Sequence, residues 1–461
     1  MLTLWKQANG RERANFALLA VFLLATSLFG GASRADVFSL PLAYLAAVLM
    51  IGAAVLQVGP GELSPVRAPL LMLAALAALM LLQLIPLPPE LWRSLPGRAE
   101  LARDLDALDL GRGWRPLSLT PDATLYALVA LASPAAVLLL APLTGRLRPA
   151  LVVAVLLCCG LSALVGLFQA AGTVPSFYRV TNPGAAVGLF ANRNHQATML
   201  VIAFPLLAAW ATWSHTDPSH RRARRWTAAG ITTALLPLLL ITGSRGGLLF
   251  GALAVVASAV LVWRATPAPR DRRPRRRGLL IAAGAVALSL PVAAAFLTGR
   301  DLALQRVAVG VGEEELRGRF FGLYFRIIGD HFPVGAGFGS FDPVFRGYEP
   351  RDALIQTYLN HAHNDPVELL IEGGLPAAAL ALLFAAWVMR RSVAAWRMRR
   401  GAGVVGQAAS IILTALLLWS FLDYPLRTPT LAALAAVACA LLPRWPEPGG
   451  AEPRLGTADT L

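Results

Sequence analysis

Charge is scarce in this chain. Only 15% of its 461 residues are Asp, Glu, Lys or Arg, against 56% hydrophobic residues, and that balance excludes both a soluble globule of this size and a disordered chain. Cysteine is scarce too. Cys158, Cys159 and Cys439 all fall within apolar runs, where they read as small hydrophobes, not as a disulfide framework or a cysteine metal cluster. The glycine-rich stretch Gly335-Ala336-Gly337-Phe338-Gly339 lacks a Walker lysine and a strand-turn-helix setting. That removes a nucleotide loop and leaves a tight turn.

What is present is a long series of apolar runs. Runs able to cross roughly 30 Å of hydrocarbon fall at about 15–30, 37–57, 68–87, 122–141, 149–171, 196–213, 226–242, 247–263, 278–297, 375–392, 403–422 and 429–443. They predict an all-α polytopic membrane protein of about twelve transmembrane helices, a single integral membrane domain over residues 1–461. Lys6, Arg11 and Arg13 precede the first run as in a signal peptide, but without a convincing cleavage site the run is read as the first span. An even number of spans puts both termini on one side. With that side cytoplasmic, most Lys and Arg lie in cytoplasmic segments and most Asp and Glu in exterior ones, so the net charge of +15 records orientation. The runs Arg221 to Arg225 and Arg272 to Arg277 then read as anchors beside anionic lipid, and nucleic acid is not an expected partner. The tail 444–461 is expected to be cytoplasmic and without fixed structure.

Two exterior segments exceed a simple turn. Residues 88–121 intersperse Trp92, Leu95 and Trp114 with charges, as in a piece lying at the membrane interface. Residues 298–374 form the largest aqueous loop, and a loop of that length carries function or is disordered. Within it Phe320, Leu323, Tyr324, Ile327 and Ile328 have helical spacing, which predicts an amphipathic surface helix over Leu316 to Phe332.

The polar side chains gather at the exterior ends of the spans. His361-Ala362-His363-Asn364-Asp365-Pro366 reads as a helix start, with Asp365 the N-cap, Pro366 the first helical residue and Glu368 closing a capping box. His363 would then stand just outside a helix N-terminus that favours an anion. The helix is expected to stop at Gly373-Gly374-Leu375-Pro376, ahead of the true span. His361, His363 and Asp365 also suit a metal, although the ligand set is incomplete and Asp365 is needed as a cap. Gly243-Ser244-Arg245-Gly246-Gly247 forms an almost zero-length exterior hairpin, where Arg245 either snorkels to water or meets a large anion. Asn192-Arg193-Asn194-His195 either binds phosphate or sugar or caps the sixth span. Arg317 and Arg319 head the amphipathic helix. Asp423 and Arg427 are spaced i, i+4 and could form a salt bridge, with Pro425 interrupting the helix between them. Arginines facing phosphate oxygens beside a histidine suit transfer from a diphosphate-linked lipid to a hydroxyl.

These landmarks resemble the O-antigen ligase and polymerase family of bacterial membrane glycosyltransferases. The resemblance rests, in order, on Asn192-Arg193-Asn194, Ser244-Arg245-Gly246, Pro333 to Gly339, Asn360 to Asp365 with Glu372-Gly373-Gly374-Leu375, and Asp423-Tyr424-Pro425-Leu426-Arg427. The His stretch is the most specific, and Ala377 stands where the ligase pattern has its next glycine. The resemblance implies a glycan donor on undecaprenyl diphosphate, with lipid A core, another repeat unit or a protein hydroxyl as acceptor. It implies a metal-independent inverting enzyme without cofactor, in the bacterial inner membrane with a periplasmic site. His363 falls on the family's candidate base, Arg245 on one essential arginine, and Arg319 or Arg317 on a second. Arg193, Asn192, Asn194, His361, Asn364 and Arg427 complete the expected substrate contacts. The rival readings are a transporter or flippase of lipid-linked glycan and a diphosphate hydrolase; a transporter would place its polar groups near the bilayer midplane.

Overall fold

The computed structural model describes residues 2–182, 184–213, 218–266, 320–351, 359–398 and 403–443. Its main helices are α1 (Gly10–Phe29), α2 (Leu40–Val55), α3 (Arg67–Leu84), α4 (Pro121–Ala130), α5 (Ala132–Leu143), α6 (Leu151–Ala170), α7 (Arg193–Thr212), α8 (Pro218–Ile241), α9 (Arg245–Ala265), α10 (Phe321–His331), α11 (Phe341–Tyr348), α12 (Asp365–Arg397), α13 (Val404–Trp419) and α14 (Pro429–Leu441). Among the described residues the only sheet is a pair of two-residue strands, Pro86–Leu87 with Arg115–Pro116.

Among the described residues, seven helical segments are long and apolar enough to cross a membrane, α4 and α5 counting as one, and α2, α13 and α14 are shorter apolar helices. The chain is an all-α polytopic membrane protein. Helices lie on each expected span except 278–297, which falls outside the described residues, as do Arg272 to Arg277, Arg317, Arg319 and the tail 444–461. α7 is the hub: it is almost wholly buried and packs against α6, α8, α9 and α13. The outer helices instead turn Leu45, Leu49, Leu71, Leu157, Leu249 and Leu382 outward, the arrangement a lipid solvent favours.

α12 is two helices in one. Gly374 has φ 58° and ψ −150°, a conformation that breaks the helix and that a side chain would not tolerate. The break, expected at Gly373-Gly374, strands backbone groups that must be satisfied elsewhere. The glycine turn does this. Ala336 and Gly337 donate to the carbonyls of Ile371 and Glu372 at 2.8 and 2.9 Å, and Leu375 donates to Pro333 at 2.9 Å. Gly335, Gly337 and Gly339 all have positive φ, as a tight turn needs. Gln83 on α3 then ties the turn to the bundle, accepting from Phe338 N–H and donating to the Glu372 carbonyl, both at 3.0 Å.

Outside the spans, α10 supplies the expected amphipathic helix from Phe321 onward, burying Tyr324, Ile327 and His331. With α11 it covers Ile371, Val367 and Ala362. The segment that carries the His stretch is thereby roofed by packed aromatic side chains.

Candidate active site

Three helix N-termini converge at one end of the bundle. Asn192 caps α7, its Oδ1 accepting from Asn194 N–H at 2.8 Å. Ser244 caps α9, its Oγ accepting from Gly247 N–H at 3.0 Å. Asn364 caps α12, its Oδ1 accepting from Val367 N–H at 3.1 Å. The cap of α12 is therefore not Asp365, and Glu368 closes no capping box. Asn satisfies the same backbone donors as Asp, which frees the Asp365 and Glu368 side chains for charged partners.

A hydrogen-bonded chain joins the three ends. Ser244 Oγ donates to Asn194 Oδ1 at 2.8 Å, and Asn194 Nδ2 donates to Asp423 Oδ2 at 2.6 Å. The other Asp423 oxygen lies 3.1 Å from His363 Nδ1 and accepts Tyr424 N–H at 3.0 Å. Asp423 is buried and His363 is partly exposed, so the imidazole meets the outside while its carboxylate does not. His363 also has φ 52°. A left-handed backbone costs a non-glycine residue about 1 kcal/mol or more and persists only where neighbours enforce it. Here the neighbours are Asp423, the Asn364 cap and the Tyr424 ring, 4.9 Å away centre to centre.

A second cluster lies beneath. Arg427 Nε is 3.1 Å from Asp365 Oδ1, and Nη1 is 3.0 Å from Glu368 Oε1 and 3.2 Å from Glu372 Oε2. Burial alone would lower the Arg427 pKa, but Glu368, Glu372 and Asp365 outweigh it and raise it above the usual arginine range. Arg427, one of the expected substrate contacts, is the counter-ion of three buried carboxylates, and Asp423 and Arg427 bond to different elements. Glu368 further takes His361 Nδ1 at 2.7 Å and Ala362 N–H at 2.8 Å. The Tyr424 ring is packed against His361, His363 and His195.

The expected arginines divide. Arg245, the first residue of α9, is exposed next to Ser244, and Arg193, the first of α7, is half-buried. The Arg193 guanidinium lies alongside Gly243, whose β-carbon, if it had one, would be 3.8 Å away. Both arginines thus flank the converging N-termini. His195 is buried and its ring nitrogens lack hydrogen-bond partners, so it acts as packing for Tyr424. Among the described residues no three His, Cys, Asp or Glu side chains are grouped as metal ligands.

Residues 228–382 match the family model for O-antigen ligase. The chain carries an O-antigen ligase domain. The matched third of the sequence holds Arg245, the glycine turn and the His stretch, and it indicates glycosyltransferase activity of the O-antigen ligase or polymerase type in a bacterial membrane protein. No curated protein matches the chain. The matched stretch does not by itself contain the network around His363: its partner Asp423 and the Tyr424 ring follow the match, and Asn194, which bonds Asp423, precedes it. Glu372, which sequence reasoning did not place at the site, had a legible signal. Asp365, Glu368 and Glu372 are spaced i, i+3, i+7 on one helical face.

Proposed function

We propose that the protein transfers a glycan from undecaprenyl diphosphate to an acceptor hydroxyl at the periplasmic face of the inner membrane. The observation that carries the reading is the chain Ser244–Asn194–Asp423–His363, which links a partly exposed imidazole to the N-termini of α7, α9 and α12. Helix N-termini favour anions. With Arg193 and Arg245 beside them, they suit a diphosphate. Asp423 fixes Nδ1 of His363, leaving Nε2 as the nitrogen that takes the hydroxyl proton while oxygen attacks the anomeric carbon. Attack opposite the diphosphate inverts that carbon, and the reading assigns the step to arginines, helix ends and an imidazole. Arg427 serves by holding α12.

The acceptor is lipid A core in a ligase, a second repeat unit in a polymerase, or a protein hydroxyl. Clustering of polar groups at the helix ends favours transfer over a transporter or flippase, whose sites belong at the midplane. A strain lacking the gene tests this through its surface glycan. Free lipid A core identifies a ligase and single capped repeat units a polymerase, and the defect persists when the gene returned carries His363→Ala. An unchanged glycan, or full rescue by that variant, contradicts the reading.

A further inference from the structure

The site contains two histidine–carboxylate pairs, and transfer to one hydroxyl uses only one as a base. His361 Nδ1 faces Glu368 Oε1 at 2.7 Å, and Glu368 is fully buried while His361 keeps a partly exposed ring. This repeats the design of His363 on Asp423. Both imidazoles pack on the same Tyr424 ring, at 4.2 and 4.9 Å between centres. They are therefore separated by no more than two ring contacts. In inverting glycosidases the paired acid and base carboxyls stand roughly 6.5–9.5 Å apart, leaving room for the nucleophile, and here the shared Tyr424 ring brings both imidazoles to one place where a single substrate can meet them.

Arginines and helix N–H groups bind the diphosphate, but none of them gives up a proton, so the proposed reaction still lacks an acid at its other end. As the anomeric carbon–oxygen bond to phosphate breaks, its electron pair goes to the diphosphate oxygen, where a hydrogen-bond donor stabilises the developing charge. We propose that His361, held by Glu368, is the proton donor to the departing diphosphate; the inference rests on the transferase reading and assigns its second acid–base group. The protons balance. His363 accepts one from the acceptor hydroxyl, His361 gives one to the diphosphate, and the two rings re-equilibrate through solvent before the next turnover. No further co-reactant is required.

The groups facing His361 come from each element packed around it. Glu368 and Glu372 lie on α12, Tyr424 on the segment before α14, where Arg427 shares Glu368, and His195 on α7, while His363 stands on the same loop and the same tyrosine. Arg427 Nη1 shares Glu368 Oε1 with His361, so it orients the carboxylate that orients the ring. Arg427 is a positioning residue.

The test is the pH profile of polyprenyl diphosphate release by the full chain in liposomes. The donor is a synthetic short-chain polyprenyl-diphosphate-linked oligosaccharide, with lipid A core or a second donor molecule as acceptor in separate arms. Wild type gives a bell. His361→Gln lowers the maximum by on the order of 10²-fold, the contribution of a positioned acid, and loses the alkaline limb while keeping the acidic one. Glu368→Gln, a second variant should His361→Gln fold poorly, displaces the alkaline limb. Turnover with an intact bell in both variants overturns the proposal alone, because a purely structural role changes height and not shape. Absence of release by wild type in both arms, and with a protein-hydroxyl acceptor as well, overturns the transferase reading and the proposal with it.

Discussion

At the scale of residues, the site is built from side chains that share carboxylates. Asp423 serves Asn194, His363 and its own neighbour's N–H, while Glu368 serves His361, Ala362 and Arg427. Buried carboxylates are costly unless paired, and Arg427 is the cation that makes three of them tolerable. Arg427→Ala is therefore expected to destabilise the protein by about 3–5 kcal/mol, as breaking a buried ion cluster does. The drop in melting temperature of the purified protein checks it. Adding Glu372→Gln to Arg427→Ala should restore part of the loss, because one of the stranded charges is then removed. A melting temperature unchanged by Arg427→Ala contradicts the account of the cluster.

Elements show how much of this was legible in the sequence. The break at Gly374, the zero-length hairpin at Gly243 to Gly247 and the amphipathic helix after Phe320 all follow from local residue types, and the structure has each of them. Asp365 misled because Asn364 and Asp365 are both good caps, and only tertiary partners decide between them. Those partners, Ser420 and Arg427, lie more than fifty residues on in the chain, beyond any local pattern. The element α10, which lies outside the spans, carries its own prediction. Burial lowers the pKa of His331, Arg98 nearby lowers it further, and its Nδ1–H donates to the Ile327 carbonyl at 2.9 Å. The unfolded value is about 6.5, so the stability held by neutral His331 is complete above that pH and is lost as pH falls through it. Hydrogen-exchange protection over Phe321–His331, corrected for the intrinsic pH dependence of the amides, should fall between about pH 7.5 and 5, and His331→Gln should flatten the dependence. An equal acid response in the variant would show that other groups govern this helix.

For the whole molecule, scarce charge and long apolar runs made the all-α membrane fold readable, and the positive-inside count gave one face on which Arg245, Asn192 and His363 should meet. Their caps and partners do meet, through contacts that link α7, α9, α12 and the Asp423 turn. What could not be read was that the ends are wired through carboxylates, because an Asp or Glu in a short exterior loop looks like any solvated charge. The ligase domain match covers one part of that wiring and the flanking helices supply the rest. The central claim is that this face forms glycosidic bonds with His363 as base. It is tested most directly by reconstituting the full chain in liposomes with a polyprenyl-diphosphate-linked glycan and an acceptor, in the presence of a chelator, and counting bonds formed. The account predicts transfer by wild type and a fall on the order of 10²- to 10⁴-fold in His363→Ala, with the variant folded. Equal transfer by that variant, or passage of the lipid-linked glycan across the bilayer with no bond formed, would contradict it.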